Sequence, residues 1–111
     1  MAHQDQPLMI FRFFFEKLYK GELIDPMYSQ KMLTLLKAQQ INHKIPKYLP
    51  DTVMIAHKTG ELDEFSHDAG IVYTAEGDYV IVLLSDSDNP RAAEEVLART
   101  SESIYSYFTS E

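Results

Sequence analysis

The order of signals along the chain predicts an α/β domain of the α+β type: a three-stranded antiparallel meander with helices on both faces. Three observations predict it. Apolar residues recur at helical spacing as far as about Gln40 and again beyond Asn89. Between Pro50 and Asp86 the pattern changes to the two-residue period of extended chain. The last extended segment, YVIVLLSD, is apolar on both faces, which calls for cover on both. A length of 111 residues, 45% hydrophobic and 24% charged, allows one core and not two. The reading is one domain: a helical pair at 8–45, the meander at 51–86 and a closing helix at 89–109.

The first helix is predicted over 8–20, LMIFRFFFEKLYK, and ends before Gly21, a residue free to adopt positive φ. Arg12, Glu16 and Lys20 share one narrow face. The rest is apolar, so this helix is expected to be buried on most sides or covered by a partner. Asp25 caps a second helix with Pro26 at its first position, and Met32, Leu35, Leu36 and Gln39 recur along it. KIPKYLP is an irregular link bracketed by Pro46 and Pro50.

TVMIAHK, 52–58, reads as the first strand, with Val53, Ile55 and His57 on one face and Met54, Ala56 and Lys58 on the other. A charged loop is expected from Glu61 to Asp68, then a strand GIVYT at 70–74. Ala75-Glu76-Gly77-Asp78 supplies hairpin chemistry before the strand at 79–86. Asn89 caps the final helix, and Ala93, Val96, Leu97, Thr100, Ile104, Tyr107 and Phe108 form its stripe.

Composition narrows the function classes. There is no cysteine, which excludes disulfides and thiolate metal sites. No cofactor motif is present and none is expected. Residues 1–50 hold seven Lys/Arg and four Asp/Glu, and residues 51–111 hold three and thirteen. Such an acidic chain repels phosphate backbones, so no nucleic-acid partner is expected. No apolar run is long enough to span a bilayer and no ordered signal peptide opens the chain, so a cytoplasmic address is expected for the chain as given.

The chemistry gathers at Lys58-Thr59-Gly60. Read in order, EKLYKGELIDP, KMLTLLKAQQ, HKIPKYLP, VMIAHKTGEL, HDAGIVY, YVIVLLSD and IYSYF resemble the C-terminal part of the class A β-lactamase and penicillin-binding transpeptidase superfamily of serine hydrolases, over about residues 12–108. That family unites S-x-x-K, S-D-N and K-T-G in one site, and only the third is here. Ser29 is followed by Lys31 at the wrong spacing. Ser87-Asp88-Asn89 spells S-D-N but lies after K-T-G, and reads as a helix cap.

The resemblance implies a role for each matching position. The Lys58 ammonium would draw an anionic substrate, and the Thr59 hydroxyl would bond its carboxylate. Gly60, lacking a Cβ, would let substrate lie against the strand, and the Glu61 N–H would be one of two oxyanion donors. The family often carries an arginine beyond this strand. His67-Asp68 stands in its neighbourhood here, with His67 either a partly charged substitute or a structural histidine paired with Asp68. His57 is expected to pack under the strand. A zinc site from His67, Asp68 and Glu61 matches no metal-ligand spacing, and none is expected.

With the nucleophile and its base missing, no catalytic residue is assigned to this chain, and weak binding of a β-lactam or peptidoglycan-type carboxylate is the most expected of it alone. Three readings stay open: a truncated β-lactamase-like hydrolase, one half of a split hydrolase completed by a missing N-terminal half, and a homodimerising interaction module. In the last, the dimer forms through the edge at Tyr79–Asp86, helix exchange, or burial of Phe11, Phe13, Phe14 and Phe15.

Overall fold

The computed structural model describes residues 2–62, 65–86 and 88–110, with side chains from Leu8 onward except those of 61, 62 and 65. Its elements in chain order are α1 (Ala2–Tyr19), α2 (Pro26–Lys37), β1 (Met54–Leu62), β2 (Phe65–Thr74), β3 (Gly77–Asp86) and α3 (Pro90–Thr109). The strands form one antiparallel sheet in the order β1-β2-β3.

The two-residue alternation of the strands sorts the core into two layers. Ala56, Ala69 and Ile71 face Phe15 and Leu18 of α1 and Leu33 of α2. Ile55, Val72 and Ile81 face the link residues Ile45 and Leu49, with Ile104 and Tyr105 of α3 packed around them. Helices thus cover both faces, as the doubly apolar 79–86 segment requires. Each fully buried Leu or Phe contributes about 1.5–3 kcal/mol, so the two layers together outweigh any single polar contact.

Local chemistry sets the helix ends. Gly21, at φ 73°, closes α1, and the Glu22 N–H reaches back to the Lys17 carbonyl at 2.8 Å. The Asp25 side chain accepts the Tyr28 N–H at 2.7 Å, and Asn89 accepts the Ala92 N–H at 3.2 Å, with proline first in both helices. Asn89 therefore acts as the cap expected of it, whereas Ser87 lies outside the described residues.

Several boundaries and stripes differ from the sequence reading. α1 begins at Ala2 and not at 8. The expected charged loop at 61–68 is mostly strand: β1 runs on to Leu62, and β2 opens at Phe65. The charge of Asp68 suggested a loop, but that carboxylate is satisfied inside the sheet by His57 and the Ile45 N–H. In α2 the inward positions are Ser29 and Leu33, while Leu35 is 70% exposed. In α3 Ala93 and Leu97 are buried as expected, but Ala98 and Ser101 join them, while Val96 is exposed and Tyr107 is 84% exposed. Of the four phenylalanines expected to seek a partner, Phe15 is buried and Phe11 and Phe14 pack on the chain's own core, leaving Phe13 at 45% exposure.

The link is clamped to α3. The Tyr48 hydroxyl donates to both Glu95 oxygens (2.9 and 2.7 Å), Lys47 Nζ reaches the same carboxylate at 3.0 Å, and Arg99 Nε reaches it at 2.9 Å. The Arg99 guanidinium also stands 4.0 Å over the Tyr48 ring. These donors, Tyr48 first, hold the Glu95 carboxyl down to about 2.

Candidate functional site

K-T-G sits in the second half of β1, which among the described residues is an edge strand paired with β2 alone. Lys58 lies opposite Ala69, Thr59 opposite Asp68, Gly60 opposite His67 and Glu61 opposite Ser66. Lys58 and Gly60 share the face of Ala56, toward α1 and α2. Thr59 shares the face of His57 and is almost fully buried. Lys58 is exposed, and its ammonium folds back onto the Thr59 carbonyl at 2.7 Å.

Glycine at position 60 is a packing requirement of this hairpin. A Cβ there would stand 2.2 Å from Nε2 of His67, whose ring covers the Gly60 α-carbon. Phe11 of α1 lies against the same ring, centroids 5.1 Å apart. His67 is therefore layered between the K-T-G strand and α1. Gly70 serves the same purpose on the opposite face, since a Cβ there would meet the Ala56 carbonyl oxygen at 2.2 Å and the His57 Cβ at 2.7 Å.

The pairing expected of His67 belongs to a different histidine. Neighbouring strand residues point to opposite faces, so His67 and Asp68 cannot share a partner on one side. His57 Nδ1 lies 2.9 Å from Asp68 Oδ1, with both residues buried, and its Nε2 lies 3.3 Å from Asn42 Oδ1. Asp68 Oδ2 accepts the Ile45 N–H at 2.9 Å, and Ser101 donates to the Ile45 carbonyl at 2.9 Å. His57 thus packs beneath the strand, as read, inside a network joining the link, both hairpin strands and α3.

One residue in the site was missed by sequence reasoning. Lys44, 1% exposed, extends from the link to place Nζ 3.3 Å from the carbonyls of both Gly60 and His67. It brings a cation to the rung that carries the last residue of K-T-G. The only available signal was its place in HKIPKYLP, and a lone lysine beside prolines reads as surface.

A cavity of about 370 Å³ lies away from Lys58-Thr59-Gly60. It lies between the link and the first half of β1, where Asn42, His43, Pro46, Met54 and His57 are among the lining residues. Among the described residues no cluster of His, Asp and Glu could hold a metal ion, and no helix is long and apolar enough to cross a membrane. Ser66, opposite Glu61, is buried, and its hydroxyl has no hydrogen-bond partner among the described residues.

A three-stranded antiparallel sheet covered on both faces, with K-T-G on an edge strand, defines the β-lactamase-like class of fold. The chain belongs to the β-lactamase enzyme family, whose sequence model matches residues 12–108. Among solved structures it is similar to PBP-A, at 27% identity and a TM-score of 0.78, over 88% of this chain and 38% of that one. The TLA-3 extended-spectrum β-lactamase shares the fold at 23% identity and a TM-score of 0.83, over 90% and 40%. A mutant of PBP-A solved as an acyl-enzyme complex with penicillin G aligns at 27% identity and a TM-score of 0.77, over 88% and 38%. The chain thus spans about two fifths of the length of these structures. Comparison with curated proteins returns no match.

Proposed function

We propose that this chain supplies the K-T-G wall of a β-lactam- or peptide-recognising site, corresponding to the C-terminal part of a class A β-lactamase-like serine hydrolase, and that alone it binds a carboxylate without forming an acyl-enzyme. The observation that carries this reading is the exposed Lys58 on an edge strand, with the Lys44 cation set under Gly60. An extended ligand can lie along such an edge as an added strand, its carboxylate drawn by Lys58. Lys44 takes the electrostatic part for which the family often uses an arginine, and His67 shapes the floor over Gly60. The ligand class is supported by PBP-A, whose mutant was solved carrying penicillin G.

Chemistry stops at binding because the attacking serine and its activating lysine are outside this sequence. Titrating the chain with penicillin G by NMR is expected to shift the amides of residues 58–61, and Lys58→Ala to weaken that binding about tenfold. Turnover of a chromogenic cephalosporin, or a penicilloyl adduct on any serine, would overturn the reading.

The second reading, completion by a front-half polypeptide bearing S-x-x-K and S-D-N, is favoured by the two-fifths coverage of the matched structures. Hydrolysis that arises only on mixing the two polypeptides is its test.

A further inference from the structure

We infer that His67 determines which ligands the K-T-G wall accepts: with Phe11 it forms an aromatic shelf one rung beyond Lys58, and the ligand that fits is an extended carboxylate bearing an aromatic group about 7 Å from its charge. That specificity presupposes the carboxylate-binding reading of the wall and names what the ligand carries beyond its charge. Side chains directly opposite on one face of an antiparallel sheet have Cβ atoms about 4.5–5.5 Å apart, and such pairs carry much of the selectivity between strands. Gly60 has no side chain to offer an incoming neighbour. His67, its register partner on β2, offers one in its place: Nε2 and Cε1 of the imidazole lie where a Cβ on residue 60 would stand. The ring thus reaches across the rung toward the side of β1 that pairs with no strand among the described residues. A ligand lying along that side meets an imidazole there and not a gap.

The shelf is braced from three directions. Lys44 Nζ lies 3.3 Å from the carbonyls of both Gly60 and His67, which ties the backbone of the rung. Phe11 of α1 lies against the imidazole with ring centroids 5.1 Å apart and planes inclined by 33°. Leu84, the register partner of His67 on β3, stands on the same face behind it. Phe11 and His67 both stay half-buried. A flat apolar group entering beside them covers the remaining surface of both, and ring contacts of this kind favour an aromatic group over an aliphatic one.

Lys58 fixes the distance. It lies two residues before Gly60 on the same face, and a rise of 3.3–3.4 Å per residue sets the two rungs about 7 Å apart. Its ammonium folds back onto the Thr59 carbonyl at 2.7 Å, so the charge stays close to the strand. In an extended ligand whose last residue bears the carboxylate, the residue two places earlier shares its face and falls at the rung of Gly60. The residues on either side of that one turn to the opposite face, away from the shelf.

NMR titration of the full chain tests this with four probes: an N-acetylated alanine pentapeptide with a free carboxyl terminus, and the same peptide with Phe at its second, third or fourth residue. The peptide with Phe at the third residue is expected to bind about fivefold more tightly than the all-alanine peptide and to shift the ring protons of His67 and Phe11. Phe at the second or fourth residue should give no such gain. His67→Ala should bring the favoured peptide down to the level of the all-alanine one without weakening the latter. His67→Leu, which refills the space over Gly60 without a ring, makes the same comparison where the alanine variant fails to fold. If no peptide shifts the amides of residues 58–61, the carboxylate reading falls and this inference with it. Binding with no gain from Phe at the third residue, an equal gain at its neighbours, or a gain undiminished by the His67 variants overturns this inference alone.

Discussion

His57 and Asp68 meet ring to carboxylate at 2.9 Å in the interior of the sheet, one strand apart, and the second oxygen of that carboxylate holds the link by the Ile45 N–H. The pair therefore fixes the hairpin and the segment that carries Lys44 in one arrangement. Asp68→Ala leaves a buried ring nitrogen and a buried amide without their acceptor, and is expected to cost about 3–5 kcal/mol in urea unfolding. Asp68→Asn keeps an acceptor for Ile45 and should cost less. Equal losses from the two variants would show that the second oxygen contributes nothing.

Gly60→Ala forces a methyl into the His67 ring, which Phe11 keeps from swinging freely. The expected cost is about 1–3 kcal/mol, falling sharply in a His67→Ala background. A double-mutant cycle with no coupling would mean that the ring does not rest on Gly60.

Stability should also fall in acid through Glu95. Its carboxyl is held at about 2 in the folded chain against 4.5 in the unfolded one, so its contribution is fully present above the higher value and is lost as pH drops toward the lower. The urea midpoint is expected to decline between pH 5 and pH 2, and Glu95→Gln should remove part of that slope. Tyr48→Phe, which deletes the leading donor to Glu95, should flatten it in the same direction.

Ile24 occupies φ 66° with its side chain 76% exposed, and the Asp25 N–H closes a three-residue turn on the Leu23 carbonyl at 2.8 Å. A β-branched residue in that conformation stores about 1–3 kcal/mol. Ile24→Gly relieves it at some cost in unfolded-chain entropy, for a net gain of about 1 kcal/mol. Calorimetry should find the melting point raised by about 4 °C.

What the sequence made legible was periodic or local. Caps at Asp25 and Asn89, the glycine stop at Gly21 and the change of period near Pro50 depend on neighbours along the chain, and each is found where expected. K-T-G was visible as a word, and its edge position followed from the order of strands. The inward faces of α2 and α3 were read in part: Met32, Leu36, Ala93, Leu97 and Ile104 pack inward as expected, but buried Ser29, Ala98 and Ser101 were passed over because they are small or polar. Ser29 and Ser101 satisfy their hydroxyls on the carbonyls of Leu23 and Ile45. Nothing local reveals that His57 will meet Asp68, or that Lys44 will cross 16 residues of sequence to Gly60. Such partners follow from register and packing, which a pattern of hydrophobicity does not encode.

The four residues from Asn42 to Ile45 bind, in turn, His57, Glu94, the Gly60 and His67 carbonyls, and Asp68 with Ser101. This stitching makes the Lys44–Ile45 peptide bond a gauge of intactness. Trypsin can reach it only when the molecule opens as a whole, whereas Lys20, exposed in the turn just past α1, is open to nicking in the native state. The delay between the cut at Lys20 and the cut at Lys44 would measure the cooperativity of the fold without any ligand or activity to follow.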